Sequence, residues 1–184
     1  MIKFKNNGVG IFGGSFDPPH KGHLKISLIS LSKLRLKKIY WLITKKNPFK
    51  KKPFFSLEKR IFKCVKIINN RKKIKVKFIE DKINSSRTID AIKFFKKKNK
   101  NSRIYLIIGS DNLVHFNKWR SWKKILQMCE LVVFSRKGYD KKAKKSAIVN
   151  YLKNKNFIFI KNKKIDISST QIRNNIKKVK NGNI

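Results

Sequence analysis

The chain has 184 residues, with 49 Lys and Arg against 9 Asp and Glu and a formal net charge of +40. That length fits one compact domain with a full core, expected over residues 1–184 with a basic tail from about 177. The longest apolar runs are strand-sized and no long apolar stretch follows the basic start, which argues against an exported or membrane-spanning chain and for a cytoplasmic one.

In chain order, apolar runs of period two or continuous runs alternate with longer stretches of period 3.6. The pattern predicts a strand at 9–12, a helix over 23–34, a strand at 38–43, a helix over 57–69, a strand at 74–79 and a helix over 88–97. A strand at 103–108, a short helix after Asp111, a helix over 119–128, a strand at 131–134, a helix over 143–153 and a strand at 157–160 follow. A last helix covers 169–178, with Ser168 or Ser169 as its N-cap. Repeated strand-helix-strand units close right-handed, so the expected fold is α/β, a doubly wound parallel sheet of Rossmann-like type with ligands at the carboxyl ends of its strands. Cys64 and Cys129 stand in apolar helical contexts without paired spacing and read as buried reduced thiols.

The first strand runs into Gly13-Gly14 and the next helix opens near Gly22 and His23, so their connection lies where such a sheet binds a nucleotide. Glycines let a phosphate approach the backbone, and the N–H groups of a helix start carry partial positive charge. The segment Gly13-Gly14-Ser15-Phe16-Asp17-Pro18-Pro19-His20-Lys21-Gly22-His23 is neither a Walker A sequence nor G-x-G-x-x-G. It carries instead His20 and His23 at i, i+3, on one side of the helix entrance, where both imidazoles can donate to the same anion. A zinc reading lacks a third ligand. Two loop histidines capping a helix are the plainer alternative.

Later segments carry weaker signals. Gly109-Ser110-Asp111 follows a predicted strand, which places Asp111 to accept ribose hydroxyls, to sit near a metal or to cap a helix. Ser169 and Thr170 open the last helix with Arg173 one turn in, a group able to hold an anion or to form an ordinary N-capped helix start. Trp119 stands in Lys118-Trp119-Arg120-Ser121-Trp122, and an indole is most often simply buried. His115 reads as a surface histidine.

Residues 10–24, Ile108-Gly109-Ser110-Asp111-Asn112, Lys118-Trp119-Arg120-Ser121-Trp122, residues 131–139 and Ile167-Ser168-Ser169-Thr170-Gln171-Ile172-Arg173 resemble, in the right order, the motifs of the bacterial nicotinate-nucleotide adenylyltransferases. These belong to the nucleotidyltransferase superfamily marked by H-x-G-H. The resemblance implies adenylyl transfer from ATP, with Mg2+, to nicotinate mononucleotide, giving deamido-NAD and pyrophosphate. It implies catalytic roles at the α-phosphate for His20 and His23. ATP contacts would come from Gly13, Gly14, Ser15, Phe16, Gly22, Gly109 and Asp111, and Ser169, Thr170 and Arg173 would take the β and γ phosphates. On the acceptor side it implies Ser86, Arg87, Thr88, Trp119 and Arg136, with Trp119 stacked on the pyridine ring and Trp122 in the core. Arg87 stands where the family carries an aromatic, which leaves backbone recognition of the nicotinate carboxylate available. Asn47-Pro48-Phe49-Lys50 resembles a P-P-H-K loop without its histidine, so only Lys50 is carried over. No protein metal ligand is expected.

The chemistry agrees with the residues. An attacking phosphate oxygen is already anionic, so an acid-poor chain needs no general base, and such transfer relies on positioning and on stabilising spread negative charge. Pantetheine-phosphate adenylyltransferases and cytidylyltransferases share H-x-G-H but not the later motifs, and nicotinamide mononucleotide remains an alternative acceptor. A basic nucleic-acid-binding module on the same fold is the rival from another class. Of the 49 basic residues 41 are lysine, spread along the chain and accompanied by abundant Asn, Ile and Phe, as an A/T-rich coding sequence would produce. Reading of phosphate and guanine favours Arg, so no specific nucleic acid and no membrane partner is expected. A homo-oligomer is compatible with the sequence.

Overall fold

The computed structural model describes residues 7–46, 52–152, 157–161 and 167–180. Among these, six strands form one sheet: β1 (Gly8–Gly14), β2 (Leu36–Ile43), β3 (Ile74–Lys77), β4 (Arg103–Gly109), β5 (Glu130–Phe134) and β6 (Phe157–Ile160). Their order is β3-β2-β1-β4-β5-β6 and every pairing is parallel. The helices are α1 (Lys21–Lys33), α2 (Leu57–Ile68), α3 (Glu80–Ile83), α4 (Thr88–Lys98), α5 (Ser110–Val114), α6 (Trp122–Met128), α7 (Asp140–Lys144), α8 (Ala147–Tyr151) and α9 (Ser169–Lys180). This is the doubly wound arrangement, and its strand order reverses between β1 and β4, which opens a crevice at Gly13, Gly14 and Gly109.

Strand residues point alternately to two cores. Val9, Ile11, Leu106, Ile108 and Val133 pack with Ile92, Phe95 and Ile125 from α4 and α6. Phe12, Trp41, Ile107, Val132 and Phe134 pack with Leu34 and with Cys64 and Ile68 from α2 on the other face. Burial on both faces is why these strands read as continuous apolar runs. Burying each such side chain contributes about 1.5–3 kcal/mol. Cys64 and Cys129 are buried free thiols, each pushed up to about 12 by burial.

The approach of α1 to the sheet rests on small residues. Its buried positions are Gly22, Ser27 and Ser30. The two hydroxyls donate back to the carbonyls of His23 (3.0 Å) and Ile26 (2.9 Å), which removes the cost of burying them. Ser27 also accepts from the Trp41 indole N–H at 2.7 Å. The α1 entrance is thereby held against β2.

Two predicted helices and one predicted strand depart most from their expected bounds. The stretch expected as one helix over 119–128 starts only at Trp122, because Trp119 is extended and Ser121 sits at φ +60. The helix expected over 143–153 is two pieces: Ser146 turns its hydroxyl onto the Ala143 carbonyl at 2.6 Å, ending α7 and opening α8. The strand expected to reach 79 stops at Lys77, and the short α3 follows. The last helix runs from the residues expected to start it out to Lys180, with Ser168 as N-cap: Ser168 Oγ accepts from the Gln171 N–H (3.2 Å) and Gln171 Oε1 accepts from the Ser168 N–H (2.7 Å). No described helix is long and apolar enough to cross a membrane.

Candidate active site

A cleft of about 1330 Å³ opens at the carboxyl ends of β1 and β4. It gathers residues far apart in sequence: Gly13, Gly14, Ser15, Phe16, His20, Gly22 and His23 from the first loop, Ser86, Arg87 and Thr88 at the start of α4, Gly109 and Asp111 after β4, Trp119, Arg136, and Ser169, Thr170 and Arg173 of α9. Lys50 falls outside the described residues. The described lining holds eight Lys and Arg (Lys52, Arg87, Lys118, Arg120, Arg136, Lys137, Arg173, Lys177) against four acids. Each of those acids is engaged by the protein itself, so the cleft presents an excess of positive charge to a ligand.

At Gly13 a Cβ would meet nothing within 4 Å, so the backbone stands open to a close approach from the cleft. Phe16 adopts φ +47 and turns its ring inward, where it is buried and stacked on Trp41 at 4.9 Å between centroids. Its contribution to the cleft is therefore backbone, with the ring acting as an anchor. His20 is the N-cap of α1, and its imidazole lies 3.9 Å from that of His23, centroid to centroid. The His20 N–H donates to His23 Nδ1 at 3.2 Å, so the ring N–H of neutral His23 is the one on Nε2. His20 Nδ1 is buried and has no partner. Burial, and then the Arg136 charge, push the His20 pKa down from 6.5 to about 4, so it is neutral at pH 7. Two imidazoles therefore lie side by side at the α1 start, and both residues line the cleft.

Across the switch point, Asp111 accepts from Arg136 Nη1 at 2.7 Å through Oδ2, while its buried Oδ1 has no partner. Gly109 makes this possible: a Cβ there would drive into Asp111 Oδ1. Arg136 is itself fixed by its backbone, whose N–H donates to Ser110 Oγ and Asp140 Oδ1, each at 3.0 Å. Ser110 donates to Asp140 Oδ1 at 2.7 Å and Ser135 donates to Oδ2. Burial works to raise the Asp140 pKa, but these hydrogen bonds from Ser135, Ser110 and the Arg136 amide outweigh it and hold the carboxyl below the usual range.

The start of α9 comes down on the first loop. Ser169 Oγ donates to the Pro18 carbonyl (2.9 Å), and Arg173 donates to the Asp17 carbonyl (2.5 Å) and to Thr170 Oγ1 (3.0 Å). Two helix starts, of α1 and α9, therefore converge on one end of the cleft. Trp119 packs its ring 5.0 Å from Phe116 and still lines the cleft, whereas Trp122 sits against Tyr151 at 4.9 Å and the core. His115 is exposed and stands outside the cleft lining.

Several residues that shape the site were not among those the sequence singled out. Asp140 and Ser110 hold Arg136. Glu80 accepts from Thr44 Oγ1 (2.6 Å) and the Lys45 N–H (3.2 Å). Asp17, in the first loop, accepts from the Phe54 N–H (2.7 Å) and the Phe55 N–H (2.9 Å). Among the described residues Arg60 is the least exposed charge, at 1%. Its signal was available: it lies on the apolar stripe of α2 with Leu57, Ile61, Cys64 and Ile68, where a cation has no reason to stand unless it is bonded.

The cytidylyltransferase-like family model matches residues 11–175. A protein of Pelagibacter ubique named "Probable nicotinate-nucleotide adenylyltransferase" is 46% identical over 179 residues, covering 94% of this chain and 99% of its own length. One of the same name from Clostridium novyi is 37% identical over 176 residues, 94% of this chain and 88% of its own. Among solved structures, the Plasmodium falciparum nicotinic acid mononucleotide adenylyltransferase complexed with NaAD matches with a TM-score of 0.74 at 23% identity, over 94% of this chain and 89% of that one, a likeness of fold.

Proposed function

Since the chain belongs to the cytidylyltransferase-like family, and within it to the nicotinate-nucleotide adenylyltransferases, we infer that its cleft transfers the adenylyl group of ATP to nicotinate mononucleotide, releasing pyrophosphate and deamido-NAD for NAD biosynthesis. The observation that carries the site assignment is the pair His20 and His23 at the α1 start, with the unpartnered His20 nitrogen and the α9 start beside it.

In this reading a phosphate oxygen of the mononucleotide attacks the α-phosphorus, a new P–O bond forms, and the bond to the bridging oxygen breaks with its electron pair leaving on pyrophosphate. No proton has to be removed from the nucleophile. His23 Nε2–H and the α1 N–H groups meet the charge that spreads over the α-phosphate oxygens. His20, neutral in the free cleft, gains a proton-stabilising anion next to it once the triphosphate is in place. Ser169, Thr170 and Arg173 face the leaving pyrophosphate. Asp111 Oδ1 is the acceptor left over for a ribose hydroxyl. Ser86 to Thr88 and Trp119 lie at the acceptor end, with the α4 N–H groups toward the nicotinate carboxylate and the indole toward the pyridine ring.

Magnesium fits as a companion of the triphosphate. Among the described residues no group of three His, Cys, Asp or Glu could cage a cation, and both Asp17 oxygens accept backbone N–H groups. A phosphate-borne Mg2+ needs no such cage, and it would neutralise charge on the phosphates. We place the reaction in the cytoplasm, with ATP and the mononucleotide as the partners.

The test is to incubate the pure protein with ATP and magnesium and, separately, nicotinate mononucleotide, nicotinamide mononucleotide or phosphopantetheine. Pyrophosphate release is expected with the nicotinate nucleotide above all. Release with phosphopantetheine alone would overturn the assignment.

A further inference from the structure

We propose that Arg60 is a positioning residue that couples the nucleotide loop to the acceptor end of the cleft, a role that rests on the reading of the cleft as an adenylyltransferase site. Its guanidinium is buried and reaches three separate segments. Nη1 donates to the Ser15 carbonyl (2.8 Å) in the nucleotide loop and to the Thr44 carbonyl (2.7 Å) at the end of β2. Nη2 donates to the Lys45 carbonyl (3.0 Å), and Nε to the Phe55 carbonyl (3.2 Å) just ahead of α2.

Each segment continues the chain of bonds toward one substrate. On the nucleotide side, Phe54 and Phe55 donate to Asp17, and the carbonyls of Asp17 and Pro18 accept from Arg173 and Ser169 of α9. On the acceptor side, the Thr44 hydroxyl and the Lys45 N–H meet the Glu80 carboxylate, and the Glu80 carbonyl accepts from the Ser85 N–H at 3.0 Å, directly before Ser86. Arg60 is where the two halves join.

The chemistry of the residue favours this over plain support of the fold. Only a planar fork with five N–H donors can serve four carbonyls arranged around it, and lysine offers three donors from one point. Burial lowers the Arg60 pKa and works against its charge, with nearby Asp17 the largest opposing influence. A core position on α2 that served packing alone would be better filled by an apolar residue, since a buried cation is costly to desolvate.

The experiment compares the full chain with its Arg60→Lys variant. The expected result is a folded variant whose KM rises at least about fivefold for ATP and for nicotinate mononucleotide, with a smaller change in kcat, as expected when ground-state positioning is lost. A variant with both KM values within twofold of wild type, or with only one of them raised, overturns the coupling. Wild-type turnover is the control on the functional reading: an inactive wild type would remove that reading, and binding of β,γ-methylene-ATP by calorimetry would still report Arg60. Should Arg60→Lys fail to fold, amide exchange in the wild type decides. β,γ-Methylene-ATP alone should slow exchange over residues 80–88, across the hub from the phosphates, and unchanged exchange there contradicts the proposal.

Discussion

His20 is held between two environments, and its protonation reports on both. The unfolded chain takes up its proton near pH 6.5 and the folded cleft only near pH 4, so between those values the unfolded state holds more protons and stability falls as pH falls. Urea midpoints measured from pH 7 to pH 4 should show this decline in the wild type and a shallower one in His20→Asn; equal slopes would remove burial of His20 as the cause. Gly109→Ala is expected to push Asp111 out of its fold-back position and raise the KM for ATP by about tenfold, the scale of one lost hydrogen bond to a charged group, readable in steady-state kinetics. The residues legible in the sequence include types rare in this chain, since His20, His23, Asp111 and the loop glycines stand out against 41 lysines, whereas the equally rare Glu80 and Asp140 lie in segments with no motif to mark them. Arg60 was not legible as a site residue, because one more cation in a basic chain draws no notice until its position on an apolar stripe is weighed.

Among elements, the strands and the long helices could be read because burial writes a clear period into them, as in β4 with its continuous apolar run. The breaks could not. Ser121 takes a left-handed conformation and Ser146 bonds backward to Ala143, and serine in either place looks like an ordinary helical surface residue. The most consequential element is α9, which reaches the first loop from more than 150 residues away through Ser169 and Arg173. Arg173→Ala should raise the KM for ATP by about tenfold or more, the scale of a lost charge-assisted phosphate contact, and lower Tm because the Asp17 carbonyl loses its donor. An unchanged KM with a lowered Tm would leave Arg173 only a docking role. The start of α7 acts similarly on Arg136. Asp140 carries a lowered pKa, so its contribution to stability is present above the unfolded carboxylate pKa and is lost as pH falls through the lower folded value. In Asp140→Asn that acid-side loss should be smaller, as followed by thermal unfolding.

At the scale of the whole molecule the charge of +40 becomes a kinetic property. Both substrates are anions, and a cleft whose described lining has twice as many cations as acids sits inside a positive field, so encounter should be steered electrostatically. With a Debye length of about 10 Å at 0.1 M salt and about 3 Å at 1 M, kcat/KM is expected to fall severalfold over that range, and more than kcat at saturating substrate. A flat profile would show that the lysines act only as a solvated surface. The sheet order brings the starts of α1, α4 and α9 together with Trp119 around one cleft, and in the proposed reading the α-phosphate meets the acceptor there. The proposed chemistry turns on His20 and His23 at the α1 start. Turnover of ATP with nicotinate mononucleotide by His20→Ala and His23→Ala, each verified as folded, tests this most directly. The expected kcat loss is about 10²–10³-fold in each, the scale of one removed oxyanion donor or about 3–4 kcal/mol. Turnover within about tenfold of wild type in both variants would contradict it.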